Sequence, residues 1–253
     1  MKKYFLSFIL MFQFMTRIPI RFNLPCEKED FKRGTVFLPV VGVVIGLIQW
    51  IVFFIFQKIL PINVTAVLVV LTSILVTGAL HLDGLGDTCD GFFALKGREE
   101  IIDIMKDSRI GTYACLAVIC DILLKTFAIS NLNFLSGSFV IIAAPMIGRA
   151  SLVILFYFGK TAKKNGVGNL FIGNTGKLQL LISLFFTFII SILLMGLLKS
   201  IVIMICTIIL ILFFNKYCEK KLGGLTGDIL GAGNEIVEII VFIISAGFTK
   251  FLF

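Results

Sequence analysis

Residues 62–91 have the sequence INVTAVLVVLTSILVTGALHLDGLGDTCDG, a long apolar run that passes directly into a cluster of acids and glycines. The apolar run is close to the roughly 20 residues that a helix needs to cross the hydrocarbon core of a membrane. In the polar part, Asp83, Asp87 and Asp90 are spaced i, i+4 and i+7, which places them on one face of a helix. The stretch therefore predicts a membrane span that ends at three carboxylates and at His81, the single histidine of the chain.

The three aspartates predict a cation site. Like charges on one face repel one another unless a positive charge lies between them, and carboxylate oxygens suit Mg²⁺. We therefore predict that Asp83, Asp87 and Asp90 bind Mg²⁺; the competing interpretation is a solvated polar turn at the membrane surface. The glycines between the aspartates remove side-chain bulk, so we expect a bulky substrate to lie against the helix backbone there.

The composition predicts a polytopic membrane protein. Of the 253 residues, 58% are hydrophobic and 15% are charged, whereas soluble domains have about 25% charged residues. The apolar runs predict an all-α bundle of about seven membrane-spanning helices in one integral membrane domain, 1–253, with an interfacial or half-buried helix near the N-terminus. The predicted spans are 36–57, 62–80, 111–130, 138–158, 178–198, 200–216 and 236–253.

The basic residues predict the orientation of the bundle. With the N-terminus inside, 18 Lys and Arg residues fall on the inner side and three on the outer side, as the positive-inside rule requires. Topology therefore explains the formal net charge of +8, and nucleic-acid binding is not needed to explain it. Because 14 of the 15 acidic residues also lie on the inner side or at the inner end of the last span, we expect the active site there. The chain is expected to be a multi-pass membrane protein with its N-terminus and active site cytoplasmic.

The aspartate stretch continues to a second group of charges at the mouth of the third predicted span. Asp107 and Arg109 lie there, within a predicted catalytic segment of 81–111. The guanidinium of an arginine has the forked donors that hold a phosphate. We therefore expect Arg109 to contact a phosphate beside the aspartates.

A second predicted catalytic segment, 223–238, carries five glycines around Asp228. This composition favours a loop whose backbone N–H groups meet an anion, and a flexible connector is the alternative. Glu235 and Glu238 end the segment at the inner end of the last predicted span, where a charged group is costly unless it is paired or hydrated. That cost favours a functional role for the segment.

Three charged residues lie deep inside predicted spans, away from the span ends. Asp121 and Lys125 are spaced i, i+4 and are expected to neutralise each other. Arg149 is expected to point into the inner cavity, where its donor fork suits an anion. For His81, two interpretations stay open: a group that contacts ligand or moves a proton, and a polar cap on the second span.

At these residues the chain resembles the cobalamin 5′-phosphate synthase family, the adenosylcobinamide-GDP ribazoletransferases. The resemblance rests on Thr16-Arg17-Ile18-Pro19, His81–Gly91, 107–111 and 223–238. It implies that adenosylcobinamide-GDP is joined to α-ribazole, or to its 5′-phosphate, with release of GMP, using Mg²⁺ at the cytoplasmic membrane. Gly86 departs from the pattern, in which Ala or Met is more usual, and this departure puts the local helicity in doubt.

The residue patterns and the resemblance together assign roles. His81, Asp107 and Arg109 are the expected catalytic residues, and His81 or Asp107 is expected to take the proton of the attacking hydroxyl. Asp83, Asp87 and Asp90 are the expected metal ligands. The residues expected to bind substrate or phosphate are Arg17, Arg149, Gly227, Asp228, Asn234, Glu235 and Glu238. The expected partners are the two substrates and the lipid bilayer, with no nucleic acid, and a homo-oligomer stays open.

Two other functions compete. Asp87, Asp90, Gly91 and Ala94 match the first half of the signature of CDP-alcohol phosphotransferases. The second half fails, because its arginine, glycine and two aspartates are replaced by Leu95, Ile104, Ser108 and Thr112. A cation-coupled transporter is expected to carry several ionisable groups near mid-membrane at broken helices, whereas most acids here gather at one face.

Overall fold

The computed structural model describes residues 2–132, 138–163 and 166–252, which are predominantly helical. The helices are α1 (Lys2–Met15), α2 (Lys28–Gly34), α3 (Leu38–Phe56), α4 (Ile62–Thr77), α5 (Leu80–Phe93), α6 (Arg98–Ile104), α7 (Thr112–Ser130), α8 (Val140–Phe158), α9 (Lys177–Met195), α10 (Leu197–Leu222) and α11 (Gly227–Leu252). Within the described ranges the only β-type pairing is an isolated bridge between Thr161 and Leu225. The prediction of an all-α fold is confirmed.

The described ranges contain six helical segments that are long and apolar enough to cross a membrane. They are 28–56, which joins α2 to α3, together with α7, α8, α9, α10 and α11 up to Thr249. Helices α4 and α5 meet the same criterion only as a pair bent by 92°, which raises the number of spans to seven if the pair is one span. The prediction of about seven spans is therefore confirmed. We treat α5 as lying at one end of the bundle, outside the spanning helices, because it turns away from α4 and carries three aspartates.

Helix α8 is the centre of the bundle, with 94% of its span buried. It is apolar on nearly all sides, as expected of a helix that is surrounded by others. Gly42 and Gly46 of α3 let the two helices approach closely. A Cβ at Gly42 would lie 2.5 Å from the Cα of Met146, and one at Gly46 would lie 2.6 Å from the Cα of Ile142. Small residues at such crossings are the usual means of close helix packing in membranes.

The largest difference from the predicted spans concerns α11. It begins at Gly227 and not near residue 236, so most of the predicted glycine-rich loop is helical and the loop is confined to 223–226. Two backbone hydrogen bonds hold that loop to the end of α8: Leu225 N–H to the Lys160 carbonyl (2.7 Å) and Ala162 N–H to the Leu225 carbonyl (2.9 Å). The loop is therefore a fixed connection and not a flexible one. Residue 253, the end of the last predicted span, lies outside the described residues.

Candidate functional site

Helix α5 is positioned by a sharp turn after α4. Gly78 and Ala79 both have left-handed backbone conformations, with φ of 64° and 59°, which glycine adopts freely and alanine does not. The Arg17 N–H donates to the Val76 carbonyl (2.7 Å), and the Arg17 side chain lies against Gly78, where a Cβ would clash with it. Arg17, a predicted phosphate ligand, therefore lies exposed beside this turn. Its side chain occupies the space that any side chain larger than that of glycine would need at residue 78.

Helices α5 and α11 cross with their backbones in contact, and glycines make this contact possible. A Cβ at Gly84 would lie 2.6 Å from the carbonyl oxygen of Asp228, and one at Gly231 would lie 2.9 Å from that of His81. Gly86 faces α7: a Cβ added to Gly86 would lie 3.3 Å from the methyl carbon of Ala114. Helices α7 and α11 fill part of the space beside these glycines, yet Gly84 and Gly86 also line open recesses on either side of α5. The expectation that substrate lies against the helix backbone there therefore stays a prediction. Helix α5 is continuous through Gly86, so the doubt about its helicity is removed.

The crossing gathers acidic side chains from two helices. Asp83 and Asp87 line a groove on one side of α5, and Asp83 and Asp228 line a cleft on the other side. Burial, and then the negative charges of Asp83, Asp228 and Asp90, raise the pKa of Asp87 to about 6, while Lys163 lowers it. The carboxylates are thus close enough to repel one another, and a bound cation would relieve that repulsion. Asp228 was predicted to contact phosphate, and the structure adds it to the aspartates of α5.

Asp90 has a different environment from its two neighbours. Its carboxylate accepts hydrogen bonds from the backbone N–H groups of Gly111 (2.6 Å) and Ala114 (2.8 Å), at the start of α7. A carboxylate at this position satisfies unpaired N–H groups of the first helical turn and interacts favourably with the helix dipole. Asp90, a predicted metal ligand, therefore caps α7 with both of its oxygens.

The groove has a volume of about 480 Å³ and lies between α5, the 105–110 segment and α7. Opposite the aspartates it is lined by Lys106, Asp107 and Arg109. Asp107 accepts hydrogen bonds from Arg109 Nη2 (2.5 Å) and Nε (3.0 Å), and the Arg109 side chain is 88% exposed. These hydrogen bonds lower the pKa of Asp107 to about 2. Asp107 is therefore a weak proton acceptor, whereas the exposed guanidinium is accessible to an anion in the groove.

The cleft on the other side of α5 is smaller, about 210 Å³, and mostly apolar. It is bounded by α5, α8, α11, the end of α1 and the 167–171 segment. Its apolar wall includes Phe156 and Phe171, which are buried and stack on each other with ring centroids 4.7 Å apart. Its polar edge consists of Asp83, Asp228 and His81. The cleft thus combines a flat apolar wall with a rim that can accept and donate hydrogen bonds.

A buried network of charges lies behind the cleft, inside the bundle. Lys125 contacts Asp121 (3.1 Å), Glu238 (3.4 Å) and Glu235, and Arg149 contacts Glu238. The predicted neutralisation of Asp121 by Lys125 is thus one part of a larger arrangement. Asn234 Nδ2 donates to Glu235 (3.1 Å) and Glu238 (3.0 Å). Charged groups at this depth are tolerated when they pair with one another, as these do.

The network reaches the cleft through His81. Arg149 Nη2 lies 3.3 Å from His81 Nδ1. A guanidinium only donates hydrogen bonds, so Nδ1 is the acceptor and the neutral imidazole carries its proton on Nε2. His81 then presents a hydrogen-bond donor and cannot take a proton at Nε2 from a substrate. Arg149, Asn234, Glu235 and Glu238, which were predicted to bind substrate, lie in this buried network and not on the walls of the groove or of the cleft.

Gly227, the remaining predicted phosphate-binding residue, lines the cleft at the start of α11. Two cations that the sequence did not single out lie near the aspartates: Lys106 lines the groove, and Lys163 acts electrostatically on Asp87. For Lys106 the sequence did offer a signal, because this residue directly precedes Asp107, a predicted catalytic residue. Lys163 is distant from Asp87 in the chain, and no sequence signal connects the two.

The donor set of the site suits Mg²⁺, although the side chains are not arranged around an ion. Among the described residues, no three His, Cys, Asp or Glu side chains converge sufficiently to hold a metal. Proteins, however, often bind Mg²⁺ through one or two carboxylates together with water and substrate phosphates. Asp83 and Asp87 supply such a pair at the groove, with Asp228 beside them. The residues therefore fit a Mg²⁺ ion whose remaining ligands come from a bound substrate.

Comparison with known proteins covers nearly the whole chain. The family model described as cobalamin-5-phosphate synthase matches residues 7–246. The adenosylcobinamide-GDP ribazoletransferase of Clostridium tetani is 50% identical over 243 residues, 96% of each chain. Those of Clostridium kluyveri (49% over 246 residues) and Clostridium botulinum (46% over 244) cover 96% of this chain and 97% and 98% of their own. No solved structure matches the chain. These relatives favour the synthase over the CDP-alcohol phosphotransferase and the transporter, and the chain belongs to the cobalamin-5-phosphate synthase family.

Proposed function

We propose that this chain transfers the adenosylcobinamide phosphate of adenosylcobinamide-GDP to α-ribazole, or to its 5′-phosphate, and releases GMP. The observation that carries the proposal is the meeting of two recesses at Asp83 in a chain that is 50% identical to a ribazoletransferase over 96% of its length. A reaction between two dissimilar substrates needs two adjoining sites that share reactive groups. The groove and the cleft on either side of α5 provide them.

The reaction is a displacement at the phosphorus joined to cobinamide. The ribazole hydroxyl forms the new O–P bond, the bond from that phosphorus to the GMP oxygen breaks, and GMP leaves with the electron pair. The transition state gains negative charge on the phosphoryl oxygens, so cations close to them lower the barrier. Lys106 and Arg109 are the side chains of the groove that can supply this charge.

The aspartates would repel a diphosphate unless a cation lay between them. We propose that Asp83 and Asp87, with Asp228 nearby, hold Mg²⁺. When bound, the ion neutralises charge on the phosphates and stabilises the leaving group. Asp90 contributes indirectly, because its carboxylate fixes the start of α7, which forms one wall of the groove.

The attacking hydroxyl loses a proton to a carboxylate of this cluster. Neither candidate from the sequence suits this role, since His81 Nδ1 is engaged by Arg149 and Arg109 keeps the pKa of Asp107 near 2. Asp83, Asp87 and Asp228 are the remaining carboxylates at the crossing of α5 and α11. We propose direct in-line transfer with inversion at phosphorus. Substrate that is chiral at that phosphorus tests this step, because a phosphorylated enzyme intermediate would give retention.

We further propose that the site faces the cytoplasm, in the cytoplasmic membrane. The support is the distribution of 18 basic residues on the side of the aspartates against three on the other side. The site then lies at the membrane surface, where a large water-soluble corrinoid nucleotide has access to it.

The proposed activity is tested with the purified chain in liposomes. Adenosylcobinamide-GDP and α-ribazole should yield GMP and the joined cobamide in equal amounts, and removal of divalent cations should stop the reaction until Mg²⁺ returns. Absence of GMP release under all divalent cations would overturn the proposal. Release of CMP from a CDP-alcohol in the presence of a lipid alcohol would favour the phosphotransferase alternative. Activity that survives complete removal of divalent cations would overturn the Mg²⁺ assignment alone.

A further inference from the structure

The two recesses beside α5 differ in ways that matter for binding. The groove is about 480 Å³ and carries Lys106 and Arg109, whereas the cleft is about 210 Å³ and has the stacked rings of Phe156 and Phe171 as a wall. Asp83 lines both. Two molecules that occupy the recesses would therefore meet at this residue.

The charges of the two recesses favour different ligands. A nucleoside diphosphate carries several negative charges and needs cationic partners. The groove offers Lys106 and Arg109, beside Asp107 and the proposed Mg²⁺ ligands Asp83 and Asp87, whereas no Lys or Arg is among the described residues that line the cleft. At the cleft the charged residues are Asp83 and Asp228, which disfavour an anion. A neutral aromatic base avoids this repulsion and gains free energy from the removal of its apolar surface from water.

The size of the cleft leads to the same distinction. Pockets that enclose a whole drug-sized ligand have volumes of about 300–1,000 Å³, and a cavity of about 150 Å³ admits a benzene ring. A cleft of about 210 Å³ thus suits a flat bicyclic base, with the attached sugar at the rim. A corrinoid ring is much too large for this cleft.

On the basis of the proposed function, we propose that the cleft between α5, α8 and α11 binds the lower base of α-ribazole, while the groove binds the nucleotide end of adenosylcobinamide-GDP. The base lies against Phe156 and Phe171, and the ribose reaches the rim at Asp83, Asp228 and His81. The choice of lower base is then set by the walls of the cleft and not by the aspartates.

Val167 is the wall residue best suited to a test. It lines the cleft from a short 3₁₀ turn and its side chain is 58% exposed, so a larger side chain at this position need not disturb the core. Leu80 lines the opposite wall from the start of α5 and is 43% exposed. Val64, on α4, is 46% exposed and is not among the residues of either recess, which makes Val64→Trp a matched control.

The experiment measures KM for each substrate separately, with the full chain in liposomes. Val167→Trp and Leu80→Trp should each raise KM for α-ribazole by about tenfold or more, the scale of losing a few buried methylene contacts, and leave KM for adenosylcobinamide-GDP within about twofold. Val64→Trp should change neither value. Lys106→Ala should give the reverse pattern, with the larger increase in KM for adenosylcobinamide-GDP.

A series of ribosides makes the test specific to the base. The wild-type chain should prefer a benzimidazole riboside to an imidazole riboside, and Val167→Trp should narrow or reverse that preference. The proposal is overturned if both tryptophan variants insert normally but leave the base preference unchanged, or if they raise KM mainly for adenosylcobinamide-GDP. Failure of the proposed function would look different, because the wild-type chain itself would then release no GMP with any riboside.

Discussion

Replacement of Lys125 by methionine should strongly destabilise the bundle. Lys125 is buried and contacts Asp121, Glu235 and Glu238, so its removal leaves these three carboxylates with Arg149, which itself contacts only Glu238 among them. Removal of one partner from a buried ion pair costs about 3–5 kcal/mol, because an uncompensated charge remains in a poorly solvated site. We therefore expect Lys125→Met to lower the free energy of unfolding by about that amount. SDS titration of the chain in mixed micelles, followed by circular dichroism, measures this quantity.

Two further variants show whether the cause is the unpaired charge. Lys216→Met removes a lysine from the exposed surface of α10 and should change the free energy of unfolding by no more than about 0.5 kcal/mol. A triple variant that combines Lys125→Met with Asp121→Asn and Glu235→Gln removes the unpaired charges as well and should recover most of the loss. A loss below about 1 kcal/mol for Lys125→Met alone, or no recovery in the triple variant, would refute the reasoning.

Three further predictions follow from the loops and caps. In a cysteine-free background, Lys96→Cys should react with an impermeant thiol reagent only in opened cells and Asn131→Cys in intact cells; the reverse pattern would contradict the inferred orientation. Asp90→Ala, which removes the cap of α7, should lower the unfolding free energy by about 0.5–2 kcal/mol, and an unchanged SDS midpoint would argue against the cap. The pKa of Asp107 is lowered to about 2. Asp107 is therefore charged and paired with Arg109 throughout the neutral range, and this pairing is lost only when the pH falls through about 2. Asp107→Asn should therefore leave the shape of the pH–rate profile between about pH 5 and pH 8 unchanged; a shifted acidic limb would restore Asp107 as the proton acceptor.

The spans were predictable because each depends on a local property, a run of apolar residues long enough to cross a membrane. The start of α11 was not, because the glycines of 223–233 suggest a loop when they are considered alone. Gly231 instead lies inside α11, where α5 is so close that no side chain would fit. That contact joins residues far apart in the sequence, and the helical spacing of the glycines gives no information on their partner.

The site was predicted in part for the same reason. The shared face of Asp83 and Asp87 follows from helical periodicity, and in the structure both residues line the groove. The cap that Asp90 provides for α7 and the link between Arg149 and His81 depend on how helices cross. Glu235 and Glu238 were correctly recognised as costly at their depth, but the partner that offsets this cost, Lys125, had been paired with Asp121 alone.

The most direct test of the active-site assignment compares the rates of GMP release by two variants, Asp87→Asn and the control Asp103→Asn. Both variants remove one carboxylate charge, but Asp87 lies in the acidic cluster, whereas Asp103 is exposed on α6 and forms a surface ion pair with Lys106. If the crossing of α5 and α11 is the transfer site, Asp87→Asn should lower kcat by about 100-fold or more, the scale of losing an electrostatic group in the transition state, and should bind Mg²⁺ more weakly. Asp103→Asn should retain nearly full activity. An Asp87→Asn chain that inserts normally and releases GMP at the wild-type rate would contradict the assignment of this crossing as the active site.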